Sequence, residues 1–164
     1  EAYELLAGSL AAQPEQPELL YESALLAEKL GRHEAMEASL RKLIRLKPEH
    51  AHAYNALGYS FAERNQRLEE AEQLVVKALQ LSPDDPFIID SMGWVLYRKG
   101  DTAGALTYLQ RAYSIRPDPE IAAHLGEVLW VVGRRDEAKM TWQEAAKAHP
   151  GNEVLTEVIK HFSP

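Results

Sequence analysis

The stretch NALGYSFAERNQRLEEAEQLVVKAL, residues 55–79, decides the fold. Tyr54, just before it, lies three residues from Leu57, and Leu57 lies four residues from Phe61. This spacing places the three side chains on one face of a helix. Gly58 and Ala71 are small enough to let two paired helices approach closely. The stretch therefore predicts two helices packed against each other as a hairpin.

The same pattern recurs along the chain with a period of 33 to 35 residues. Five prolines mark it, and each follows an apolar stretch with helical character that the proline would end. They are Pro14, Pro48, Pro83, Pro117 and Pro150. A column of small residues has the same period and consists of Ala24, Gly58, Gly93 and Gly126. Such a period predicts an array of helical hairpins in which stacked neighbours bury one another's apolar faces.

The pattern resembles the tetratricopeptide repeat (TPR), in which each repeat is two antiparallel helices. The resemblance implies an all-α fold, an α-α superhelix of hairpins. We expect residues 1–16 to be the second helix of a truncated repeat of a longer protein. Full repeats then follow at 17–50, 51–85, 86–118 and 119–152, with a capping helix at 153–164 that begins after Asn152. The spacing predicts one extra residue in the turn near residues 65–68 and one residue fewer in the link near residues 118–119.

Composition excludes several classes of function. The formal charge of −7, from 18 basic and 25 acidic residues, argues against binding to nucleic acid or to an anionic lipid surface. No apolar run approaches the ~18 residues of a membrane-spanning helix, so we expect no direct insertion. The chain has no cysteine, which excludes disulfides and a cysteine nucleophile but leaves the compartment open.

Catalytic, cofactor and metal sites are all disfavoured by the sequence. His50 and His52 stand near a helix start, but no third metal ligand is fixed by the spacing. His124 and Glu127 lie one helical turn apart, and a polar pair lining a groove is a simpler interpretation than a catalytic pair. A phosphate-binding glycine loop and a nucleophile elbow are missing from the sequence. We therefore predict that the chain is not an enzyme.

In the family it resembles, the first helix of each hairpin lines a concave groove. Here that face is rich in aromatic residues, which suit protein recognition, and it carries seven acidic residues against Arg98 alone. The predicted groove residues are Tyr21, His52, Asn55, Tyr59, Phe87, Asp90, Trp94, Arg98, His124, Glu127 and Trp130. We expect a protein or peptide partner with a basic or apolar segment, centred on Tyr59, Phe87 and Trp94. The alternative is that some aromatics only pack between repeats and that the acidic side chains are only solvated.

A narrower resemblance rests on residues 55–79, on DSMGWVLYRKGD at 90–101 and on AAHLGEVLWVVGRRDEA at 122–138. These stretches resemble the C-terminal repeat array of proteobacterial envelope lipoproteins, among them an adaptor of a periplasmic carboxyl-terminal processing protease. The resemblance implies a scaffold at the periplasmic face of the outer membrane that holds a protease and its substrates; a cytoplasmic location stays open. The alternative function is a regulatory or helper module of a larger enzyme or assembly complex, with its chemistry outside this chain.

Overall fold

The computed structural model describes residues 2–162, and from Glu4 onward it describes the side chains as well. Within that range the secondary structure is entirely helical, which confirms the all-α fold class. The helices are α1 (Ala2–Ala12), α2 (Pro17–Lys29), α3 (His33–Leu46), α4 (Ala51–Glu63), α5 (Leu68–Leu81), α6 (Pro86–Lys99), α7 (Thr102–Ile115), α8 (Pro119–Val131), α9 (Arg135–Ala148) and α10 (Glu153–Phe162). Of the predicted segments 1–16 and 153–164, residue 1 and residues 163 and 164 lie outside the described residues.

Local chemistry explains where the helices begin and end. Each of the five periodic prolines lies two residues beyond the last residue of a helix, where its ring cannot continue the helical hydrogen bonds. Asp85 caps α6 by accepting a hydrogen bond from the Phe87 amide at 2.9 Å, and Asp101 caps α7 in the same way. Asn152 accepts from the Leu155 amide at 3.1 Å, which confirms the predicted cap of α10.

The two predicted irregularities of the period are also present. Four residues join α4 to α5, whereas two or three join the other hairpins. Asn65 and Arg67 in this longer turn have left-handed φ values of 54° and 45°, a conformation that the other turns assign to glycine. Three residues join α7 to α8, whereas four join α5 to α6. Loops absorb both changes, and the helical hairpins are kept.

The helices divide into two compact units. Helices α1–α5 form unit 1, which ends at Pro83, and helices α6–α10 form unit 2, which begins at Asp84. Within each unit the two helices of a hairpin pack at very close range at the small-residue column. A Cβ added to Gly58 would lie 2.9 Å from the Ala71 carbonyl oxygen, and one added to Gly93 would lie 2.7 Å from Leu109. This confirms that small residues set the approach of the paired helices.

Candidate functional site

The first helices of the hairpins carry all eleven predicted groove residues. In unit 1 these are Tyr21 on α2 and His52, Asn55 and Tyr59 on α4; in unit 2 they are Phe87, Asp90, Trp94 and Arg98 on α6 and His124, Glu127 and Trp130 on α8. The predicted centre of the groove takes Tyr59 from unit 1 and Phe87 and Trp94 from unit 2. A single groove across these three side chains therefore stays a prediction.

A buried polar pair joins α6 to α8 in unit 2. The Nδ1 atom of His124 lies 3.0 Å and 2.9 Å from the two carboxylate oxygens of Asp90. Asp90 is only 5% exposed, and a carboxylate at that depth requires a hydrogen-bond donor. The imidazole of His124 supplies that donor, so these two predicted groove residues hold neighbouring repeats together.

Trp94 belongs to the same cluster. Its ring stacks on the imidazole of His124 with 4.1 Å between centroids and 22° between planes, and it lies 5.1 Å from the ring of Tyr97. Trp94 is only 5% exposed. Neighbouring side chains cover the indole in this structure, and the role of Trp94 in a partner-binding groove stays a prediction.

A second hydrogen bond joins the same two helices. The Tyr97 hydroxyl donates to a carboxylate oxygen of Glu127 at 3.1 Å. Burial, followed by the negative charge of Glu127, raises the pKa of Tyr97 to about 12. His124 and Glu127 thus each contact a different residue of α6, and the sequence-based idea of a His124–Glu127 pair is replaced by two cross-repeat pairs.

The remaining predicted residues of unit 2 lie in other surroundings. Phe87 is 36% exposed in the first turn of α6, with the guanidinium of Arg116 5.3 Å from its ring centroid. Arg98 is half-buried near the end of α6. Trp130 packs on α9 and α10 instead: its ring lies 5.9 Å from Trp142 and 6.1 Å from Phe162. The alternative of a packing role is therefore the better interpretation for Trp130.

In unit 1 the histidines near the start of α4 are organised by local contacts. The Nδ1 atom of His50 accepts a hydrogen bond from the Ala53 amide at 3.1 Å, and His50 thereby caps α4. The ring of Tyr21 lies 5.2 Å from that of His50, while His52 is exposed. Among the described residues, no three histidine, aspartate or glutamate side chains are grouped as metal ligands would be.

Polar groups connect α2 to α4 as well. Glu28 accepts a hydrogen bond from the Ser60 hydroxyl at 2.8 Å, and its second carboxylate oxygen lies 3.1 Å from Nδ1 of His33. Asn55 differs from these residues: its Oδ1 atom is buried and has no hydrogen-bond partner. A buried acceptor without a donor is uncommon in folded proteins, and each instance needs an explanation.

A cavity of about 130 Å³ lies beside these residues in unit 1. Its walls are almost entirely apolar, and Glu28 is the one acidic residue among the lining residues. The lining residues are Ala24, Leu25, Glu28, Met36, Leu40, Ala56 and Tyr59. Leu25 is 40% exposed and Tyr59 is half-buried, so both side chains can be reached from solvent. We call this cavity the unit 1 socket.

Comparison with known proteins identifies the family. One family model, described as tetratricopeptide repeat, matches residues 36–86 and 91–153. A second model with the same description matches residues 17–50. The chain belongs to the tetratricopeptide repeat family. Proteins with these repeats are generally non-catalytic scaffolds that bind other proteins. The TPR resemblance expected from the sequence is thereby confirmed.

Individual relatives agree with this assignment. TPR repeat-containing protein PA4667 of Pseudomonas aeruginosa is 47% identical over 127 residues, which cover 77% of this chain but only 22% of that protein. The crystal structure of TTC0263, a thermophilic TPR protein of Thermus thermophilus, is similar with a TM-score of 0.86 at 24% identity, covering 97% of this chain and 88% of the other. YrrB, described as a TPR protein with an unusual peptide-binding site, is similar with a TM-score of 0.66 at 22% identity. The match covers 97% of this chain and 84% of YrrB. At these identities the two structures show the fold alone.

The TPR framework explains what sequence reasoning missed. Ser60, Met36 and Leu40 were not expected to shape a site, yet they bond to Glu28 or line the unit 1 socket. The sequence did contain a signal, because Ala24 and Ala56 have small side chains at the place where two first helices meet. The arrangement offers an apolar surface with one acidic residue, Glu28, among its lining residues. None of the helices in the described part of the chain combines the length and apolar character that a bilayer crossing requires.

Proposed function

We propose that this TPR chain is a binding scaffold that holds a segment of a partner protein against the first helices of its repeats. The accessible side chains of the first helices carry the proposal, because Leu25 is 40% exposed and lines the unit 1 socket together with the half-buried Tyr59. Tyr21 and Tyr59, both half-buried on first helices, offer aromatic contact area to the same segment.

The acidic side chains on the first helix α2 favour a partner segment that is basic or apolar. Glu18 and Glu22 are exposed on α2, and Glu28 lines the unit 1 socket. Carboxylates at the rim of a binding surface attract Lys and Arg side chains and repel acidic ones. The peptide-binding site named for YrrB, a similar fold, supports a peptide as the ligand class.

We further propose an adaptor role in a bacterial envelope, at the periplasmic face of the outer membrane, where the scaffold would hold a carboxyl-terminal processing protease and its substrates. The three sequence stretches in residues 55–138 support this, together with the 47% identity to a protein of Pseudomonas aeruginosa. The second candidate is a helper module of a larger enzyme or assembly complex. It is favoured by one observation: the chain spans only 22% of that relative's length.

Affinity capture from bacterial envelope extract tests the scaffold. The chain is used as bait beside the variant Tyr21→Ala/Tyr59→Ala, and Tyr108→Ala on the second helix α7 is the matched control. We expect the control to retain a partner that the double variant loses. A partner retained equally by all three baits would place binding elsewhere on the molecule.

A separate assay tests the adaptor. A purified carboxyl-terminal processing protease is mixed with the chain, and cleavage of an unfolded substrate is followed. Faster cleavage that requires Tyr21 and Tyr59 supports the adaptor. An unchanged rate with no complex on gel filtration removes the protease from the proposal and leaves the scaffold standing.

A further inference from the structure

The two units differ at two pairs of equivalent positions, and these differences indicate the kind of ligand that unit 1 accepts. In unit 2, Trp94 follows Gly93 of the small-residue column by one residue. In unit 1, the residue in the same place after Ala24 is Leu25. The aromatic ring that fills this position in unit 2 therefore has only an aliphatic counterpart in unit 1.

The position that contacts this residue from the next repeat also carries a smaller side chain in unit 1 than in unit 2. His124 precedes Gly126 of the column by two residues, and Ala56 precedes Gly58 by two residues. In unit 2 the imidazole at this position stacks on the indole of Trp94, 4.1 Å between centroids. In unit 1 the methyl group of Ala56 cannot reach a neighbour in that way.

The unit 1 socket is the space that these smaller residues leave. Both Leu25 and Ala56 line it, and its volume is about 130 Å³. An apolar cavity of ~150 Å³ in a protein stays dry and takes up a benzene molecule. A cavity of this size therefore suits one apolar side chain better than water.

We propose that the unit 1 socket binds a single leucine, methionine or phenylalanine side chain of a partner segment, with Lys or Arg residues beside it. The proposal rests on the proposed scaffold function and names its ligand. The side chain takes the place that the Trp94–His124 stack fills in unit 2. The two carboxylate oxygens of Glu28 already contact Ser60 and His33, so the exposed Glu22, three residues before Leu25 on the same helix, supplies the negative charge for the basic neighbours.

Short synthetic peptides test the proposal without any cellular partner. The probes are acetylated, amidated pentapeptides of four lysines around a central leucine, the same peptide with central alanine, and a peptide of four glutamates around leucine. Binding is followed by NMR of the isotope-labelled chain. We expect saturable shifts at Leu25, Met36 and Leu40, with the lysine–leucine peptide at least about tenfold tighter than the alanine peptide. The glutamate peptide should bind more weakly still.

Filling the socket supplies the decisive control. Ala56→Leu should weaken the lysine–leucine peptide about tenfold or more, and Ala38→Leu, the same change at an exposed position of α3, should not. Leu25→Trp/Ala56→His rebuilds the unit 2 stack and is a second variant in case the first folds poorly, as judged by circular dichroism. No shifts at the socket at millimolar peptide, or equal binding by the filled variants, would overturn the proposal.

The two functional proposals fail differently. If the peptides leave the socket untouched while envelope capture depends on Tyr21 and Tyr59, the scaffold stands and the side-chain socket is wrong. If the socket binds the lysine–leucine peptide but envelope capture yields nothing that depends on these tyrosines, the socket stands and the cellular scaffold role fails.

Discussion

Replacing Gly126 with alanine tests the closest helix contact in unit 2. Gly126 lies on α8 opposite Trp142 of α9, and an added Cβ would fall directly on the indole ring. Of the three nearest atoms, the most distant is Cδ1 at 2.6 Å, whereas ordinary contact begins near 3.4 Å. The overlap involves the rigid ring itself, so no flexible side-chain end can move aside.

The size of the effect follows from two opposing terms. Alanine favours a helix interior over glycine by roughly 0.5–1 kcal/mol. Overpacking a well-filled core costs about 1–3 kcal/mol, and complete loss of a buried tryptophan costs about 3–5 kcal/mol. Trp142 is 1% exposed and stacks at 5.7 Å on Phe162, so moving it disturbs α10 as well. We therefore expect Gly126→Ala to lower the free energy of unfolding of unit 2 by about 2–4 kcal/mol.

Urea unfolding followed by two signals measures this loss. All three tryptophans lie on α6, α8 and α9, so fluorescence follows unit 2, while circular dichroism follows every helix. Gly126→Ala should move the fluorescence midpoint to lower urea. Gly8→Ala is the matched control, because an added Cβ there meets nothing within 4 Å, and it should be neutral or stabilising. A fluorescence midpoint equal to that of the unmodified chain would refute the close packing of α8 on Trp142.

Three further predictions concern hydrogen bonds and charge. Tyr97→Phe removes the hydrogen bond to Glu127 and should cost about 1–2 kcal/mol in urea unfolding; an unchanged midpoint would mean that this bond is not formed. Because the folded-state pKa of Tyr97 is about 12, against an ordinary value of 10.0, its contribution to stability is complete below pH ~10 and is lost as the pH rises through 12. Burial, followed by the charge of Glu144, also raises the pKa of Tyr113, so absorbance of tyrosinate should show a late titration from which Tyr97→Phe removes one group and leaves Tyr113. Burial raises the pKa of Glu37, but hydrogen bonds from Arg41 and Arg67 outweigh burial and set the pKa below 4.5. Its contribution is therefore present above pH ~4.5 and lost as the pH falls through the folded-state pKa, and Glu37→Gln should cost under ~1 kcal/mol at neutral pH and reduce the acid dependence.

The sequence predicted the hairpins because their signals are local. Each periodic proline acts on the helix that ends two residues before it, and the small residues Gly58, Gly93 and Gly126 act on the helix paired with their own. The burial of Trp94 could not be predicted in the same way. It depends on His124 in the next repeat, and a helical face shows only that a side chain points outward from its own helix. Which neighbour covers that side chain is a matter of side-chain volume across the repeat boundary.

The comparison of Trp94 with Leu25 gives a general reason why aromatic content alone does not locate a TPR binding site. A tryptophan stacked on an imidazole contributes about 0.5–1.5 kcal/mol to cohesion between repeats beyond the area it buries. That contribution exists only while the ring stays covered, so a partner that contacted the ring would have to replace it. Leu25 and Ala56 cannot form such a stack, and the cavity beside them is the volume that we propose a side chain of another chain fills. In the proposed unit 1 socket, the small Ala24 and Ala56 between first helices, together with Tyr59 at the wall, mark the place where a ligand side chain would enter.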